Sequence, residues 1–255
     1  MSGGTPDGEL IMNSVELFLP STNTSCWLPD LPEGLVDHVS GGRGMTYCAG
    51  TNKWEGKRTH CVDWREGSWV RGAELDKPKR QAFMWSRDTE GGSSSLVMGG
   101  CSYCGPKSTV QVTGSSAQPG FDLQYETVSA CGVEDEREEL VYVVGGGARR
   151  SKDDTSRITS IYGVSGYLGD LPALLNTPRY ASHGCSGYWR GDNLVLLVAG
   201  GQTEKTSFIS EKAEMFEVGN SSQWTYVAPL PRAVGGMVGA RLDNRVLMTG
   251  EIINN

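Results

Sequence analysis

Seven cysteines and three histidines are the side chains of this 255-residue chain best suited to metal or redox chemistry. Cys101 and Cys104 form a lone C-x-x-C with no second pair beside it, a poor match to a structural zinc site. Cys48 closes one apolar segment and Cys61 opens the next. An antiparallel hairpin would set them on either side of the loop 51–60, within reach of a disulfide. Cys131 and Cys185 stand 14 and 15 residues before a glycine pair, in adjacent repeats; they could meet between repeats, but buried free thiols are the expectation. One cysteine is left over. His38 and His183 lie just before or within apolar segments and are expected to be hydrogen-bonded core histidines, while His60 falls in a charged loop. No two histidines share a metal-site spacing and no carboxylate pair is set up for acid–base work, so no catalytic residue, metal or cofactor is expected. The run Gly145 to Lys152 lacks the Gly-Lys-Ser/Thr ending of a phosphate loop, and no helix is expected after it.

Glycine pairs set where these residues stand. They read Gly3-Gly4, Ala49-Gly50, Gly99-Gly100, Gly145-Gly146, Gly200-Gly201 and Thr249-Gly250, at intervals of 46, 50, 46, 55 and 49 residues, a period expected of β-propeller blades. Four pairs follow short apolar runs such as Leu140 to Val144 and Leu194 to Val198, the length of strands buried on both faces. The glycines are expected to let the backbone turn and pack where a Cβ would clash. Two aromatics follow most pairs: Phe18 and Trp27, Trp64 and Trp69, Tyr162 and Tyr167, Phe216 and Trp224, expected to fill the space between blades. Each repeat then closes on a proline turn, among them Leu31-Pro32, Leu171-Pro172, Pro178-Arg179 and Pro231-Arg232.

Diglycine, spaced aromatics and Pro-Arg turn together resemble the kelch repeat, over residues 3 to 250. The third repeat is the weakest match, since residues 110–118 lack a first aromatic and Phe121 must serve as the second. A WD-type propeller would need a shorter period and a Trp-Asp signature. The resemblance implies an all-β, kelch-type β-propeller of about five blade equivalents in one domain, 1–255: an outer half-blade (1–34), four complete four-stranded blades (35–232) and an inner half-blade (233–255). The terminal halves either clasp, with 245–249 beside 15–19, or mark a piece truncated from a six-repeat parent and leave exposed edges.

Composition narrows the partners. Formal net charge is −7, against a nucleic-acid surface. The acidic run 134–139 reads as a solvated turn. No stretch approaches the ~18 apolar residues of a membrane span, and the first ten residues lack a signal-peptide core. Asn23-Thr24-Ser25 and Asn220-Ser221-Ser222 are glycosylation sequons, each expected in the turn between the two outer strands of a blade. The compartment stays open: extracellular if an upstream signal exists, otherwise cytoplasmic.

Charged and aromatic residues collect in the loops after the diglycines: Lys53, Trp54 and Arg58; Arg149, Arg150 and Lys152; Lys205 and Phe208. Strand alternation brings those loops to the same face as the inter-blade turns holding Lys79, Arg80, Arg179 and Arg232. Such a rim suits a protein partner. The expected function is a non-enzymatic interaction scaffold, similar to extracellular kelch proteins. The alternatives are a galactose-oxidase-like or carbohydrate-acting propeller enzyme, or a truncated isoform with little function of its own.

Overall fold

Alternating apolar runs and turn glycines produce a chain of short strands. The computed structural model describes residues 13–19, 21–34, 38–41, 45–48, 51–52, 56–57, 60–76, 79, 81–89, 92–100, 107–147, 155–181, 183–203, 209–242 and 245–252. The strands are Val15–Leu19 (β1), Thr24–Leu28 (β2), Val39–Gly41 (β3), Thr46–Cys48 (β4), Thr51–Asn52 (β5), Gly56–Lys57 (β6), His60–Arg65 (β7), Ser68–Glu74 (β8), Phe83–Thr89 (β9), Gly92–Met98 (β10) and Ser108–Thr113 (β11). They continue as Ser116–Asp122 (β12), Cys131–Asp135 (β13), Leu140–Val144 (β14), Thr159–Gly163 (β15), Gly166–Asp170 (β16), Gly184–Arg190 (β17), Asn193–Ala199 (β18), Ala213–Glu217 (β19), Thr225–Val227 (β20), Val234–Leu242 (β21) and Arg245–Ile252 (β22). The one helical turn among the described residues is a 3-10 turn, Thr155–Arg157.

Four sheets have four strands each, in the orders β3-β4-β7-β8, β9-β10-β11-β12, β13-β14-β15-β16 and β17-β18-β19-β20. Hairpins β1-β2 and β21-β22 are two-stranded sheets, as is the small pair β5-β6. This is the arrangement expected from the repeat: four complete sheets and a half sheet at either end. The weak third repeat forms β11 and β12 all the same, because Val110 and Val112 supply buried side chains without a ring.

The chain divides into two compact units, 1–97 with 109–120, and 98–108 with 121–255. In the first, Val39, Ala73, Met84, Val97 and Val110 surround the Cys48–Cys61 disulfide, which joins directly paired residues of β4 and β7. Val15, Leu31, Tyr47 and Val62 make a second cluster against Trp69, whose indole N–H donates to the Pro29 carbonyl at 2.7 Å. In the second unit the core runs through Val133, Tyr142, Val144, Leu194, Leu196, Val198, Phe216 and Trp224. Phe216 and Trp224 lie 5.5 Å apart in this core, and Phe121 stacks on Tyr162 at 5.8 Å, so these rings fill space between successive sheets. Phe18 and Trp27 do not: they are 38% and 70% exposed, because no described element of their unit covers that face of β1-β2.

Three of the glycine pairs, Gly99-Gly100, Gly145-Gly146 and Gly200-Gly201, make two hydrogen bonds each. The first N–H bonds forward to the segment entering the third strand: Gly99 to Ser108, Gly145 to Ile158, Gly200 to Lys212. The second bonds to the crossover that leads into the next sheet: Gly100 to Thr127, Gly146 to Arg179, Gly201 to Val234, all at 2.8–2.9 Å. Both members of these three pairs take positive φ, whereas Thr249-Gly250 runs within β22 without it. A Cβ on Gly146 would stand 2.7 Å from that of Ala130, and one on Gly201 would stand 2.5 Å from the His183 backbone nitrogen. The residue type is dictated by φ and by contact together.

Four expectations are corrected here. Arg179 is not on a rim. It is fully buried, its guanidinium donating to the carbonyls of Gly200 and Lys212 and to Glu214 Oε1 at 3.1 Å. The turn after Leu175 must satisfy its backbone inside the protein, and Glu214 also accepts the N–H groups of Asn176 and Thr177. Lys79, likewise the residue after a proline, is fully buried as well. Cys131 and Cys185 are not free thiols but a disulfide, made possible because the first strands β13 and β17 of successive sheets pack side by side with these Cα atoms 5.8 Å apart. His60 begins β7 instead of lying in a loop, and its Nε2 is 3.0 Å from Glu33 Oε1.

His183 is the buried core histidine the sequence suggests. Its Nε2–H donates to the Val144 carbonyl at 2.9 Å, and burial pushes its pKa down to about 4. The folded state therefore holds the neutral ring while the unfolded chain takes up a proton below its ordinary pKa of about 6.5. Stability contributed by this group is complete above about pH 6.5 and is lost as pH falls towards 4, a loss on the order of 3 kcal/mol. His183→Gln, whose side-chain amide can still donate, is expected to flatten the stability profile between pH 6.5 and 4 in urea titrations. An unchanged slope in that window would rule His183 out as the cause.

Candidate interaction rim

In the sheets of the second unit the strands alternate in direction, so the β13-β14 and β17-β18 turns emerge at the end opposite the post-diglycine loops. Each turn has a local cause. Asp135, buried at the end of β13, accepts the backbone N–H groups of Arg137 and Glu138 at 3.1 Å and so closes the turn 136–139. Gly191 takes φ +62° at the first central position of the two-residue turn Gly191-Asp192, a role most side chains disfavour.

These turns place an arginine on an aromatic ring. The Arg137 guanidinium sits 3.8 Å from the centre of the Trp189 ring and 3.6 Å from Asp192. Trp189 also packs against the core. Arg190 donates to the Tyr188 hydroxyl at 2.8 Å and to Glu217 at 3.2 Å. Glu217 also accepts from Asn193 at 2.8 Å and Asn220 at 3.2 Å; these bonds, then the Arg190 charge, hold its carboxyl below the usual range. Arg241 of β21 pairs with Glu136 at 2.9 Å. Carboxylates outnumber cations in this group: Glu136, Glu138, Glu139, Asp192 and Glu217 stand against Arg137, Arg190 and Arg241. The result is a half-exposed surface on which arginine, tryptophan and tyrosine, residue types enriched at protein interfaces, are paired with carboxylates.

Of the residues proposed from sequence for a loop rim, Lys53, Trp54, Arg58, Arg149, Arg150, Lys152, Lys205 and Phe208 lie outside the described residues, as do Cys101 and Cys104. Arg179 is buried, and Arg232 is exposed. Cys48 and Cys61 are joined. Asn23 and Asn220 are exposed in the β1-β2 and β19-β20 turns. Among the described residues no three His, Cys, Asp or Glu side chains converge as metal ligands. The surface around Trp189 was missed, although one signal for it was present. Tyr188-Trp189-Arg190 at the end of a first strand breaks the small, apolar pattern of Cys185 to Gly187 just where the strand leaves the core.

The described strands match a solved structure, titled "Structure of YjhT", with a TM-score of 0.72 over 98% of this chain and 90% of that one. The fold is of the β-propeller type. Identity is 13%, so the likeness covers architecture alone. No protein-family model matches the chain, and no curated protein matches it in sequence.

Proposed function

We propose that the chain is a kelch-type propeller that acts as a non-enzymatic protein-interaction scaffold. The observation that carries this reading is the Arg137–Trp189 stack with its flanking Arg190, Tyr188 and Glu217, an arginine and aromatic surface whose side chains are already paired before binding. Arg, Trp and Tyr are enriched among interface hot spots, each worth about 2 kcal/mol or more when truncated. The exposed Arg232 at the opposite end is what the described residues offer of the loop rim expected from sequence.

The two ends can be separated by charge reversal. Affinity purification with in-cell crosslinking is expected to recover a partner with the wild-type chain and with Arg232→Glu. The doubly reversed Arg137→Glu/Arg190→Glu chain should bind that partner at least about tenfold more weakly, a 1.4 kcal/mol effect. Loss with Arg232→Glu alone would move the interface to the loop rim. Equal binding by all three chains would sink both. Stoichiometric copper in the purified protein would instead favour an oxidase.

A further inference from the structure

We propose that Asn23 and Asn220 are modified by N-linked glycans, and that the chain matures in an oxidising, glycosylating compartment. Two independent observations meet here. The first is geometric. Of the asparagines in this sequence, two head an Asn-x-Ser/Thr triplet, and the structure sets both on exposed hairpin turns: Asn23 between β1 and β2, Asn220 between β19 and β20. Both turns are closed by the chain's own hydrogen bonds. Thr22 donates its backbone N–H to the Leu19 carbonyl, and the Thr22 and Thr24 hydroxyls lie 2.7 Å apart. Asn220 and Ser221 both donate backbone N–H groups to the Glu217 carbonyl. A bulky polar group at either tip displaces no core side chain. The contact of Asn220 Nδ2 with Glu217 Oε1 survives modification, because a glycosylated amide keeps one of its two hydrogens.

The second observation is covalent. Cys48–Cys61 ties two strands of one sheet, and Cys131–Cys185 ties the first strands of two sheets. Bonds of this kind form and persist where thiols are oxidised, and are rare where the glutathione pool keeps them reduced. In the eukaryotic secretory route that same compartment holds the glycan donor, a lipid-pyrophosphate oligosaccharide. In the transfer, the asparagine Nδ2 bonds to the first sugar carbon as that carbon's bond to the pyrophosphate oxygen breaks. The lipid pyrophosphate leaves with the electron pair, and Nδ2 gives up one proton. No oxidant or reductant is needed.

The test uses the full chain isolated from its own cells. Free thiols are alkylated before reduction, and the protein is then treated with peptide N-glycosidase in heavy-oxygen water and mapped by mass spectrometry. The expected result is conversion of Asn23 and Asn220 to heavy-oxygen-labelled aspartate, with Cys48, Cys61, Cys131 and Cys185 protected from alkylation. Unlabelled asparagine at either position overturns the assignment of that turn. Alkylation of those four cysteines before reduction overturns the compartment. As a second measure, Asn23→Gln and Asn220→Gln chains passed through a secretory host should each run faster on a gel by one glycan, and an unchanged mobility overturns the site concerned.

Discussion

Glu214→Ala is expected to lower unfolding free energy by about 3–5 kcal/mol, the range for stranding one partner of a buried ion pair. Glu214 and Arg179 are both completely buried. Removing the carboxylate leaves the guanidinium with its two carbonyl partners but no counter-charge, and leaves the N–H groups of Asn176 and Thr177 without their acceptor. Glu214→Gln keeps one acceptor oxygen and should lose less. Replacing both residues, Arg179→Met with Glu214→Leu, removes the stranded charge but not the orphaned backbone groups, so the double change should recover part of the loss. Urea denaturation of the four proteins measures all of this. A loss under 1 kcal/mol for Glu214→Ala would show that water or a neighbour replaces the carboxylate.

Gly201→Val should cost roughly 4 kcal/mol. A side chain at φ +78° carries a left-handed penalty of about 1–2 kcal/mol. A further 1–3 kcal/mol comes from overpacking, since the new Cβ would lie about 2.5 Å from backbone and side-chain atoms of His183. Gly219 supplies the control. It has the same φ of +78°, in the β19-β20 turn, with nothing within 4 Å of a Cβ. Gly219→Val should therefore lose the left-handed penalty alone. Thermal or urea midpoints that fall equally for the two variants would mean that φ, and not the close approach of His183, explains the glycine at this position.

Much of the fold was legible because its signals are local. A strand needs a few apolar residues in a row, as in Leu194 to Val198, and a glycine pair marks the backbone turn that follows it, so chain spacing alone counted the sheets. Phe18 and Trp27 show the limit of that reading. Their types match the aromatic positions of the other repeats, yet what covers a ring is another sheet, and none of the described residues of that unit does so.

The candidate site was less legible. Pro178-Arg179 and Pro231-Arg232 look alike in sequence, but one arginine is buried on Glu214 and the other is exposed. The difference lies in Glu214, 35 residues from Arg179. In the same way Cys131 meets Cys185 across 54 residues, and Arg137 lies on Trp189, because β13 packs beside β17. By itself the sequence determined the strands, their order and the turns between them, which depend on side-chain alternation and backbone freedom within a few residues. Only the tertiary structure decided which charges are buried, which thiols are bonded and which ring carries an arginine. Those pairings follow from the stacking of one sheet on the next, and nothing in a residue's type specifies its partner across that distance.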